Sequence, residues 1–188
     1  MPSFRDVVAA LYGAWRLMRF DVGGMAWFDL SIAGFWRSFF AALLAAPFFA
    51  VLVGMHFARG DQPFDPGRAT LVLAVAYCLS WAAFPVAGII ITRLLRLTDR
   101  YVALIVAFNW ANVLQIAVIL LANLIDASGL LPGSLGAIPP IAALAFVLVY
   151  QWFVTRTALA TTTATAIGVV FLQLLIDIFI EVAADSLI

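Results

Sequence analysis

From about residue 36 to residue 184 the chain repeats one pattern, a long apolar run followed by a short polar break. At 1.5 Å rise per residue, roughly 20 such residues cross a hydrocarbon core about 30 Å thick. The pattern predicts five membrane-spanning helices, over about 36–56, 69–92, 101–124, 139–157 and 164–184. The third run, Tyr101 to Leu124 (YVALIVAFNWANVLQIAVILLANL), is the one the others are arranged around, because it is long enough to span yet carries Asn109, Asn112 and Gln115.

Ahead of the spans, residues 3–20 place Phe4, Val7, Val8, Leu11, Trp15 and Met18 at helical spacing, with Arg5, Tyr12, Arg16 and Arg19 on another face. This predicts an amphipathic helix at the headgroup level, with Arg5, Arg16 and Arg19 as lipid-headgroup contacts; the alternative is a helix packed on the protein's own cytoplasmic face. The stretch from Asp21 to Ala33 reads as an interfacial linker in which Asp29 or Ser31 caps the next helix. Residues 1–33 are thus expected to form a cytoplasmic lead and linker, and 34–188 a five-helix bundle, within one membrane-embedded domain.

Inside the spans, Pro47 and Pro85 each remove a backbone donor and predict kinks, and Ser80 or a neighbouring helix is a candidate to serve the carbonyl of Trp81 that Pro85 frees. Phe57 to Arg68 and Ile125 to Ala137 read as loops; Pro139 and Pro140 suit the first turn of span four. No signal peptide is expected, since an arginine-bearing segment precedes the first apolar run and that run is long enough to span.

Composition strengthens the membrane reading. Hydrophobic residues make up 66% of 188, charged residues only 11%, which places the chain outside the balance of soluble domains. Zero net charge gives no electrostatic case for nucleic acid. The basic residues are all arginine, a bias of GC-rich bacterial genes, and their placement predicts orientation. Arg5, Arg16, Arg19, Arg37, Arg93, Arg96, Arg100 and Arg156 fall on the N-terminal side of the bundle, and Arg59 and Arg68 on the other. The positive-inside rule then puts the N-terminus in the cytoplasm and the C-terminus in the periplasm, across a bacterial inner membrane.

Candidate chemistry is sparse. Asn109, Asn112 and Gln115 step by three residues and stay within a sector of about 120°. With Gln151 on span four and Gln173 on span five they form a candidate intramembrane amide network, read first as interhelical hydrogen bonding worth about 0.6 kcal/mol each. Gln173, Asp177 and Glu181 follow i, i+4, i+8, and an intramembrane carboxylate is a functional hypothesis by default. His56 ends span one at the same side, so His56 or Arg59 is a candidate to pair with Asp177 or Glu181. One histidine and the lone Cys78 cannot build a zinc site or a disulfide, and no nucleophile elbow, phosphate-cradling glycine loop or HExxH pair occurs. No metal, cofactor or catalytic residue is expected.

The lead, the entry segment RFDVGGMAWFDLSIAGFWRSFF, five helices and a short tail resemble in layout the Yip family of Ypt/Rab-interacting membrane proteins, in its broad bacterial branch. The resemblance implies a five-helix inner-membrane protein and transfers no functional residue. The preferred expectation is a non-enzymatic structural or accessory subunit, with the lipid bilayer and a membrane-protein partner or second copy as its associates. The competing expectation is a small transporter or channel built on the amides and Asp177.

Overall fold

In the computed structural model the described residues are 1–59, 65–131 and 133–188, without the side chains of 59, 133 and 134. The helices are α1 (Phe4–Met18), α2 (Ile32–Ser38), α3 (Phe40–Arg59), α4 (Pro66–Leu94), α5 (Tyr101–Ala127), α6 (Ile138–Leu159) and α7 (Thr163–Asp185). Short 3₁₀ turns cover Val22–Trp27, Thr98–Arg100 and Gly133–Ala137. Among the described residues five helical segments are long and apolar enough to cross a membrane, with α2 and α3 together forming the first, so the chain is an all-α polytopic bundle. Of the expected loop from Phe57 to Arg68, residues 60–64 and the Arg59 side chain lie outside the described residues, while residues 57–59 continue α3 and residues 66–68 open α4, so both helices run further than the sequence predicts.

α5 is the axis. More than half of its most apolar window is buried, against less than a third in every other span. α3 and α6 pack along it, α1 and α2 cover its first half, and α7 closes the bundle between α4 and α6. The Phe84 ring of α4 stacks on Phe108 of α5 at 4.1 Å, and the Tyr101 hydroxyl donates to the Pro85 carbonyl at 3.1 Å. Ser80 does not assist at the proline as expected, because its hydroxyl donates one turn back to Tyr77 at 2.8 Å. α3 lies mainly on α5 and α4 mainly on α7, so these sequence neighbours stand apart. The Tyr77 hydroxyl bridges them by donating to the Ala42 carbonyl at 2.6 Å.

The first span runs on as the sequence predicts, with a one-residue turn at Phe39, still in right-handed helical conformation, between its two helices. α2 ends at Ser38 and α3 begins at Phe40. Ser38 hydrogen-bonds the Phe35 carbonyl at 2.7 Å, a local bond that competes with the helix ladder, and also receives the Asn109 amide at 2.9 Å. Ser31, rather than Asp29, caps α2 through the Gly34 amide at 3.0 Å. Asp65 caps α4 and Thr162 caps α7.

α1 takes the packed position on the protein. Its buried face is Ala10, Gly13, Ala14 and Leu17, not the Phe4, Val8 and Trp15 that dominate the periodicity and remain exposed. Small residues let the backbone approach: Tyr150 of α6 donates to the Ala14 carbonyl at 2.8 Å, and Gly13 faces Gly24 across the contact with the 3₁₀ turn. Arg16 is held in this cap instead of reaching to headgroups, its Nε donating to Asp21 at 2.7 Å. Arg19 lies over the Trp15 ring at 4.9 Å, and Arg5 is exposed.

Carboxylates pin the cap. Asp6 accepts from the Ser3 backbone and hydroxyl, Asp21 from the Gly23 backbone and Arg16, and Asp29 from Ser31, and these bonds hold all three below the usual carboxylate range. Arg37 reaches Asp6 at 3.9 Å and Asp29 at 3.7 Å. A lowered folded-state value means stability that is present at neutral pH and lost as pH falls below the ordinary value near 3.8 and through the lowered ones. Acidification from pH 5 to pH 2.5 is therefore expected to loosen α1. Tryptophan emission, with Trp15 and Trp27 in the cap, should shift over that range, and Asp21→Asn should remove part of the shift. An unchanged response in that variant contradicts the assignment.

Candidate functional site: an intramembrane chamber

Where α3 and α4 diverge, the far half of the bundle holds a chamber of about 590 Å³, bounded by α3, α4, α5, α6 and α7. Its floor lies near mid-span, at Trp81, Phe108 and Gln151, and its rim carries His56, Glu181 and Asp185 at the end opposite the arginine-rich one. Beneath the floor, the stacked Phe84 and Phe108 rings and the buried first half of α5 close the bundle.

Four of the five predicted amides line this space: Asn112, Gln115, Gln151 and Gln173. Asn109 does not join them. Each three-residue step rotates 300°, so Asn109 lies about 120° from Gln115; it faces α2 and Ser38, while Gln115 faces α6. Gln115 donates through Nε2 to Gln151 Oε1, tying α5 to α6. Gln151 is only 3% exposed, and its own Nε2 has no hydrogen-bond partner. A buried donor left unpaired costs about 1–3 kcal/mol, and Gln173 Oε1, on another lining residue, is likewise buried without a partner.

α7 forms the charged wall. Gln173, Asp177, Glu181 and Asp185 recur every fourth residue and all four line the chamber. Asp177 accepts from the Gln173 amide at 3.3 Å. Sequence reasoning missed Asp185, although it continues the same i+4 register by one step. His56, Asp177 and Glu181 do share the chamber wall, but among the described residues His56 forms no ion pair with either carboxylate; its ring meets Phe57 edge-on at 5.5 Å. At ordinary ion-pair distances the carboxylates thus hold no cation among the described residues. The rest of the lining is mostly apolar, with Phe49 and Tyr77 rings 4.8 Å apart.

Among the described residues no group of three or more histidine, cysteine or carboxylate side chains is arranged to hold a metal ion. Cys78 is a free thiol on the exposed side of α4. No protein-family model, curated protein or solved structure matches the chain. The chain is a polytopic, mostly helical membrane-spanning protein, and its function has to be argued from the chamber.

Proposed function

We propose that this protein is a small transporter or channel that takes up a solute in the chamber, rather than an accessory subunit. One observation carries the reading: the chamber combines a volume of about 590 Å³ with a buried Gln151 donor that has no partner inside the protein. Sites for small molecules are concave, mostly apolar and furnished with a few convergent polar groups. A helix bundle held together only by interhelical hydrogen bonds has no use for such a space, which forfeits packing contacts. Catalysis is not part of the proposal.

Arginine placement supports a cytoplasmic N-terminus in a bacterial inner membrane, with the chamber open to the periplasmic side. The Yip-like layout fits this five-span arrangement as a likeness of architecture and brings no residue roles or partner with it. Exposed Phe4, Val8, Trp15, Val22 and Trp36 around the cap support seating at the cytoplasmic interface, with Arg5 and Arg19 toward headgroups.

The test is efflux from sealed vesicles reconstituted with the full chain and loaded with small organic cations, neutral solutes and anions together. At least one class is expected to leave faster than from protein-free vesicles. Leakage equal to the control for every class, with a stoichiometric protein partner retained on gentle purification, restores the accessory-subunit reading.

A further inference from the structure

The chamber's lining selects among solutes. Three carboxylates, Asp177, Glu181 and Asp185, stand along one helix face over eight residues, about 12 Å at 1.5 Å per residue. The partner of Asp177 is the neutral Gln173 amide, and His56 at the rim bonds to neither Asp177 nor Glu181. An anion entering this space meets carboxylates that, among the described residues, hold no cation at ion-pair distance, and is repelled. A bare inorganic cation finds carboxylates strung along a wall, without the converging oxygens that replace a hydration shell. Sugars and other polyols need many donors and acceptors, and most of this lining is hydrocarbon.

The apolar side has its own chemistry. Phe49, Tyr77, Trp81 and Phe108 of α3, α4 and α5 line the same chamber as the acidic face of α7. Aromatic faces attract organic cations as well as apolar groups. At the floor, the unpartnered Nε2 of Gln151 asks for an acceptor. A volume of about 590 Å³ suits a drug-sized molecule.

Resting on the chamber reading above, we infer that the solute is an amphiphilic organic cation. Its positive group lies against Asp177, its apolar body against the aromatic wall, and an acceptor at its inner end receives the Gln151 amide.

Binding of two dyes to the full chain in mild detergent tests this: rhodamine 6G, a delocalised cation, and Nile red, an uncharged dye of similar breadth. Rhodamine 6G is expected to bind, and Asp177→Asn to weaken it at least tenfold while changing Nile red affinity less than twofold. A competition needing no variant runs alongside. Tetraphenylphosphonium should displace rhodamine 6G, whereas tetraphenylborate, of the same shape and opposite charge, should not. Equal displacement by both ions, or undiminished rhodamine 6G affinity in Asp177→Asn, overturns the cation assignment. If in that case Nile red still binds and is lost on filling the chamber with Ala76→Trp, the chamber reading survives its failure. Binding of neither dye, or binding unaffected by Ala76→Trp, overturns both.

Discussion

Ala76→Trp is expected to lower solute flux at least tenfold while leaving the protein folded. Ala76 lies on α4 and lines the chamber, so an indole there projects into existing space instead of into packed side chains. Overpacking a filled core costs about 1–3 kcal/mol, whereas filling a void restores contacts that its lining lacks. The variant should therefore match or exceed the wild-type melting temperature. Flux and melting measured on the same preparation check this together: lost flux with a preserved melt supports the chamber as the path, and wild-type flux contradicts it. Substitution at Val75, a neighbour half-exposed on the outside of the same helix, serves as the control and is expected to change nothing.

The second large effect lies at the opposite end. Gly24→Leu is expected to destabilise the protein by about 1–3 kcal/mol and to release the N-terminal cap. A Cβ at Gly24 would stand 2.5 Å from the Gly13 carbonyl oxygen, and one at Gly13 would stand 2.8 Å from the Gly24 carbonyl. Neither contact is relieved by rotating a side chain, because both partners are backbone. α1 must move away, and with it the Ala14 carbonyl that receives the Tyr150 hydroxyl. The expected readout is faster proteolysis before Phe28 together with a melting temperature lower by several degrees. Gly24→Ala should show a smaller change in the same direction, and an unchanged melt in both variants contradicts the close packing of α1 on the turn.

The five spans and the central place of α5 were legible in the sequence because a bilayer demands about 20 apolar residues per crossing, and that demand is written as run length. Side-chain partners were less legible. The periodicity of α1 favours large apolar residues, and Val7, Leu11 and Met18 do pack on the core, yet its most buried face is Ala10, Gly13, Ala14 and Leu17, where small residues allow close backbone approach. The turn at Phe39 follows a serine whose second partner, Asn109, is 71 positions away. The amide set was half legible: Gln115 and Gln151 meet, but Asn109 drifts off the face, as a three-residue step in a helix of 3.6 residues per turn requires. The carboxylate register of α7 was visible as far as Glu181, and extending it one step reaches Asp185. The chamber itself was not legible, because it is space left between five helices whose crossing no local pattern encodes.

That the chamber is a water-filled space open to the outer face can be tested directly in cells. Cys78 is the one cysteine of the chain, so a Cys78→Ser background permits single cysteines at Gln173 and at Phe171. These two positions differ in depth by about 3 Å but point about 200° apart on α7, one into the chamber and one, 59% exposed, into lipid. A positively charged, membrane-impermeant methanethiosulfonate added from outside is expected to modify Gln173→Cys and to leave Phe171→Cys untouched. An unreactive Gln173→Cys, or equal reaction at both positions, contradicts an outward-open chamber.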